Sequence, residues 1–156
     1  MSSDEAFVLK VIAALRESGV EAIVVGSVAA LLQGAPLTTD DMDVLIRDTP
    51  TNRAKLKDLE ARLGGSAVVL SPLSSAMRIS TYEGHLDIIF DEIPGGLGFQ
   101  GLRARSARVD LGDTVAIVAC LEDVIASKEA AGRPKDLAQL PLLRDTLRVV
   151  RALKAP

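Results

Sequence analysis

Apolar residues recur at helical spacing at Val8, Val11, Ile12 and Leu15 and stop at Gly19, while Ser2 and Glu5 have the form of a capping box. Residues 3–18 are therefore predicted to form an amphipathic helix. Ala22 to Val25 predict a short buried strand. A helix is expected to start at Ser27, directly after Gly26, and to be closed by Gly34, with Ala35, Pro36 and Leu37 as a loop before a strand at Met42–Ile46. Asp48 or Thr49 as cap, Pro50 at the first helical position and the stripe Leu56, Leu59, Leu63 predict another helix, ended by Gly64 and Gly65. Strands at about 66–70, 76–81 and 85–90 follow, the last two joined by a turn at Tyr82, Glu83 and Gly84. The glycine-rich stretch 94–101 is expected to be an ordered loop. Val109 and Thr114–Val118 are expected to pair through a turn at Gly112 and Asp113, and the chain from Leu121 onward reads as two helices separated by Gly132, Arg133 and Pro134. Helices alternating with strands, then a hairpin, imply an α/β (α+β) fold: a mixed β-sheet flanked by helices, with C-terminal helices.

Composition narrows this picture. A chain of 156 residues, 48% hydrophobic, suits one domain over 1–156, with a core at about 20–119 and a helical segment at about 121–153. With no Trp, one Tyr and three Phe, platforms for stacking single-stranded bases are not evident. The formal charge of -3 gives no global basic surface for nucleic acid, so a polyanion must be met locally. The lone Cys120 excludes an internal disulfide and reads as a buried strand end rather than a reactive thiol. The first residues, MSSDEAF, carry neither a basic leader nor a long apolar run. A cytoplasmic protein with no membrane segment is the expectation.

The residues that could carry chemistry begin with Asp41 and Asp43. Two apart on an extended strand, they project to one face, while Met42 and Val44 point to the other. Carboxylates held that close repel one another unless a cation compensates, and Mg²⁺ suits such a pair because it takes one or two carboxylates plus water and substrate phosphate. Asp40 falls on the opposite face, as a loop or capping residue. Taken alone, an Asp-x-Asp is more often an ordinary solvated strand end after a polar loop. Gly26 and Ser27 add a second feature, since glycine lets backbone approach a ligand and a helix starting at Ser27 would aim N–H groups at an anion. The bland alternative is a strand-to-helix turn with Ser27 as N-cap. Dinucleotide and P-loop glycine patterns are absent.

A third acid, Asp87, lies in HLDIIFD on the face opposite Leu86, Ile88 and Phe90. A mid-strand carboxylate needs a function or a partner. If this strand neighbours the one bearing Asp41 and Asp43, three carboxylates surround one point, an arrangement that suits two-metal displacement at phosphorus. His85 reads as a surface or hairpin-end histidine.

The segment GSVAALLQGAPLTTDDMDVLI resembles the signature of the nucleotidyltransferase superfamily shared with DNA polymerase beta, in particular its small prokaryotic branch of minimal nucleotidyltransferases and AbiEii-type toxins. The matching residues are Gly26 and Ser27, Gly34, and the run Thr39 to Asp43, with Asp87 as the downstream acid. Further on, LEDVIASKEAAGRPKDLAQLPLL is similar to the family's C-terminal helical segment through Lys128, Arg133, Lys135 and Asp136. Leu37 stands where the family often has an arginine.

The resemblance implies transfer of a nucleoside monophosphate from an NTP to an acceptor hydroxyl (RNA, protein or small molecule) with release of pyrophosphate. Asp41, Asp43 and Asp87 would be the catalytic, metal-binding residues for Mg²⁺, with Mn²⁺ as a substitute. Gly26, Ser27, Thr39, Lys128 and Arg133 would hold the nucleotide. Lys128 and Arg133 supply countercharge, or else form a solvated basic helix face. The competing expectation is a catalytically weak or inactive nucleotide-binding regulatory subunit with a partner protein, for example a toxin–antitoxin component. A sugar-nucleotide transferase using Asp-x-Asp fits less well, because the chain is short for its two halves.

Overall fold

The strands predicted around Asp43 and Asp87 become neighbours at the centre of one seven-stranded mixed sheet. The computed structural model describes residues 3–39, 41–69 and 76–155. In chain order the elements are α1 (Ser3–Ser18), β1 (Ile23–Val25), α2 (Gly26–Leu32), β2 (Asp41–Ile46), α3 (Pro50–Leu63), β3 (Ser66–Val69), β4 (Ala76–Ser80) and β5 (His85–Phe90). They continue with β6 (Glu92–Ile93), β7 (Leu97–Gly98), α4 (Phe99–Ala104), β8 (Ala107–Asp110), β9 (Val115–Val118), α5 (Leu121–Ala131) and α6 (Pro134–Lys154). The sheet runs β3-β4-β5-β2-β1-β9-β8. Strands β2 and β5 are parallel, as are β1 and β9, while the other pairs are antiparallel.

Alternation along β2 and β5 sorts residues between two layers. Met42, Val44, Ile46, Leu86, Ile88 and Phe90 are all buried on one side. Helices α1 and α3 pack together there, with Arg53 of α3 over the Phe90 ring at 4.2 Å. The aspartates take the opposite side, where α2 and α5 lie against each other and α2 against β1 and β2. The apolar residues form one core cluster, with Val11, Ile23, Leu45, Leu59 and Leu143 at 0% exposure. Among the described residues, no helix is long and apolar enough to cross a membrane.

Most element predictions hold in the structure. Thr49 caps α3 by accepting from the Asn52 N–H, Pro50 follows it, and Gly64 ends the helix in the left-handed region. The hairpin through Gly112 and Asp113 pairs Asp110 with Val115. Three readings are corrected. The stretch 94–101 is not simply a loop: Gly95 and Gly96, both at positive φ, turn β6 back onto β7, and Phe99 then opens α4 because it and Leu102 are buried. Helix α2 starts at Gly26 rather than Ser27, and its N-cap position is Val25, with no side-chain cap. Cys120 is only half-buried and stands at the N-cap position of α5, where burial pushes its thiol up from the ordinary value. The proposed cap Ser2, the strand end Leu70 and the loop residue Asp40 lie outside the described residues.

Candidate active site

Parallel pairing of β2 with β5 sets Asp43 directly opposite Asp87 and Asp41 opposite His85. Because the register is in phase, the three carboxylates share a sheet face, as the alternation requires. The cleft above them has a volume of about 720 Å³ and gathers Ser27, Thr39, Asp41, Asp43, Asp87, Lys128 and Arg133. Gly26 lines a smaller recess of about 80 Å³ that shares Asp43, Lys128 and Arg133 with the cleft. Every site residue expected from the sequence thus faces one region.

Asp43 is the most perturbed acid. Its carboxyl is raised to about 6, first by burial and then by the like charges of Asp87 and Asp41, with Lys128 only partly offsetting them. Gly26 explains how Asp43 fits. A Cβ on Gly26 would stand 2.7 Å from Asp43 Oδ2, and the backbone there has φ +67, which L side chains rarely adopt. Gly26→Ala is accordingly expected to push the Asp43 carboxylate aside and to destabilise the fold by about 1–2 kcal/mol. Urea unfolding checks the second effect, and a wild-type midpoint would contradict this account of the glycine.

The other wall of the cleft is built by the C-terminal helices. Lys128 of α5 donates to Ser27 Oγ at 3.1 Å, and Ser27 in turn donates to Gln139 Oε1 at 3.1 Å. The Ser27 hydroxyl therefore serves this lateral chain and does not cap α2. Asp136, 2% exposed, accepts from Arg133 Nε at 2.6 Å and lies 3.6 Å from Lys128 Nζ. Burial alone would raise Asp136, but the hydrogen bonds and charges of Arg133 and Lys128 outweigh it and hold the group below its ordinary value. Lys128 is pushed down, chiefly by burial, although Asp136 and Asp43 pull the other way. At 11% side-chain exposure Lys128 is not a solvated helix-face residue, whereas Arg133 at 61% remains open to the cleft. Thr39 closes on the start of β2, its Oγ1 lying 3.0 Å from Asp41 O and accepting from Asp41 N. His85 sits at the hairpin end with Nδ1 3.1 Å from Ser80 Oγ.

One residue escaped the sequence reading. Arg78 of β4 lies opposite Asp87 across the antiparallel β4/β5 pair and grips it with both arms, Nε to Oδ1 at 2.8 Å and Nη2 to Oδ2 at 3.0 Å. The same Nη2 is 3.7 Å from Asp41 Oδ2. Counting outward from the Tyr82–Gly84 turn would have paired these positions.

A divalent ion can be tested against this donor set. Among the described residues, no three His, Cys, Asp or Glu side chains are gathered closely enough to cage a metal. Arg78 occupies both oxygens of Asp87, leaving Asp41 and Asp43 at the open cleft. Two carboxylates with room for water and phosphate oxygens fit Mg²⁺, which rarely sits in an all-protein cage. The like-charge repulsion on Asp43, only partly offset by Lys128, is of the kind a bound cation would relieve.

No protein-family model matches the sequence, and no curated protein matches it either. Solved structures do. The antibiotic-resistance factor ANT(2'')-Ia, crystallised with adenylyl-2''-tobramycin, superposes with a TM-score of 0.65 at 16% identity, over 97% of this chain and 97% of that one. The lincosamide antibiotic adenylyltransferase LnuA, bound to lincomycin, superposes with a TM-score of 0.66 at 15% identity, over 94% of this chain and 98% of that one. The chain has the nucleotidyltransferase fold. Within this nucleotidyltransferase fold, the aspartate-bearing strands and the α5/α6 basic pair arise from distant stretches of sequence and meet across a single cleft.

Proposed function

We propose that the protein is an enzyme that transfers a nucleoside monophosphate from an NTP to an acceptor hydroxyl and releases pyrophosphate, using Mg²⁺, with Mn²⁺ as a substitute. The observation that carries this reading is the convergence of Asp41, Asp43 and Asp87 with Lys128 and Arg133 on one cleft of a nucleotidyltransferase fold. Asp41 and Asp43 would hold the ion, which when bound offsets phosphate charge and lowers the pKa of the acceptor hydroxyl. Thr39 fixes the backbone on which Asp41 stands. Lys128, anchored at Ser27, meets the polyphosphate as a point charge, and the exposed edge of Arg133 adds a planar donor. The acceptor oxygen forms a bond to the α-phosphorus as the bond to the leaving pyrophosphate breaks, and Asp87, on the acceptor side, takes the hydroxyl proton. Positioning and electrostatics carry such a reaction, with little covalent help from protein.

A small hydroxyl-bearing molecule is the acceptor best supported. The cleft of about 720 Å³ suits a nucleotide with a compact second substrate. Both named neighbours hold a small antibiotic or its adenylyl derivative, and the formal charge of -3 offers no broad surface for RNA. A cytoplasmic location goes with an NTP donor.

One observation favours a second reading. With Asp87 gripped by Arg78 and Leu37 in place of arginine, the protein could bind nucleotide as a regulatory subunit of a partner, as in a toxin–antitoxin pair, without transferring it. Incubation with Mg²⁺ or Mn²⁺ and each α-labelled NTP, in extract or with hydroxyl-bearing small molecules, separates the two. A labelled product lost in Asp41→Asn supports the enzyme, and tight NTP binding without product supports the regulator. Asp41→Asn is expected to lose metal-dependent nucleotide binding while remaining folded. Were it and Asp43→Asn both to bind Mg-ATP like the parent, the metal assignment would be wrong.

A further inference from the structure

We infer that Arg78 is a built-in countercation that competes with divalent metal for Asp87 and Asp41, and so is a positioning residue that must let go before Asp87 can act. The inference rests on the proposed metal-dependent reading of the same cleft. Its basis is geometric. The guanidinium occupies both oxygens of Asp87 and extends one nitrogen toward Asp41 Oδ2 at 3.7 Å, so it lies between two of the three carboxylates. A cation held by Asp41 and Asp43 would lie beside this guanidinium, and any share in Asp87 would have to displace it, since two positive charges there would repel. Arginine is a permanent charge, so the competition cannot be relieved by deprotonation.

The pair stands at the cleft rather than within the apolar core. The guanidinium faces the open cleft from β4, with Arg78 31% exposed and Asp87 16%, and Val68, beside it on β3, is 55% exposed. Arg78 gives this largely buried carboxylate a partner, but the guanidinium is itself about a third exposed and stands where an ion would act. Its clearest effect is to neutralise Asp87 while the site waits for substrate. Asp43, facing Asp87 across the parallel pair, has no such arginine.

The test is direct Mn²⁺ binding to the metal-free protein, followed by electron paramagnetic resonance. Arg78→Met is expected to bind Mn²⁺ at least about tenfold more tightly than the parent, since one positive charge a few ångströms from the ion is gone. Arg78→Lys, which keeps the charge but loses the two-armed grip, should fall between them. A merely structural arginine would lower stability without raising metal affinity. In case Arg78→Met folds poorly, the parent offers a second readout: the Arg78 Nε–H resonance should shift when Mg²⁺ and a non-hydrolysable ATP analogue are added. If the parent binds Mn²⁺ and Arg78→Met binds no more tightly, or if the resonance does not move at saturation, this inference falls and the metal site stands. If neither protein binds Mn²⁺, both fall together.

Discussion

Replacing Asp43 by Asn is expected to cut nucleotidyl transfer by at least about 10²- to 10³-fold, the scale on which preorganised charge stabilisation is lost, and at the same time to stabilise the metal-free protein. The second effect follows from the carboxyl being raised to about 6 by burial and by Asp87 and Asp41. An acid raised in the folded state binds more protons there than in the unfolded chain, so its ionisation opposes folding. The sign is therefore opposite to that of a salt-bridged aspartate. In EDTA, stability contributed by this group should be intact below about pH 4, the unfolded value, fall as pH rises toward about 6, and stay reduced above that. A rise of about two units corresponds to roughly 3 kcal/mol at most, so Asp43→Asn should raise the urea midpoint at pH 7 and flatten the profile between these limits. A destabilised Asp43→Asn at pH 7 would mean that Asp43 is supported by its neighbours rather than strained by them.

This double behaviour was partly legible in the sequence. Strand periodicity alone places Asp41 and Asp43 on one face and Asp87 away from Leu86, Ile88 and Phe90, because the alternation is local. The parallel pairing of β2 with β5 is not local: α3, β3 and β4 intervene, and no residue near Asp43 states which later strand will lie beside it. The third carboxylate could be identified as a candidate, but its register with Asp43 needed tertiary structure. Arg78 was within reach, since hairpin register follows from the turn, yet an arginine in a strand reads by default as solvent-facing. The start of α2 was misplaced by one residue because Ser27 has the chemistry of a cap, and only the folded chain shows its hydroxyl committed to Lys128 and Gln139. Lys128 and Arg133 illustrate the same limit: helical spacing cannot tell a buried lysine from a solvated one when the covering surface is another part of the fold.

Asp136→Asn should then be the most destabilising polar substitution near the cleft, by about 3–5 kcal/mol, the cost of stranding a buried charge. Asp136 is 2% exposed and holds both Arg133 and Lys128, while Lys128 itself is 11% exposed. Without the carboxylate, the buried Lys128 is left beside Arg133 with no adjacent counter-charge from α6 and, already pushed down by burial, loses its principal counterweight. Arg133 can swing into solvent, but Lys128 cannot without giving up Ser27. Urea unfolding at pH 7 measures the loss, and the double variant Asp136→Asn with Lys128→Met should recover part of it, because the stranded charge has been removed with its partner. Because Asp136 is held below its ordinary value, its contribution to the parent persists above about pH 4 and disappears only in stronger acid. An NTP should protect Asp136→Asn against unfolding more than it protects the parent, since its phosphates restore the negative charge that Lys128 and Arg133 lack. Equal protection of the two proteins would place the polyphosphate away from this pair and return Lys128 to a purely structural role.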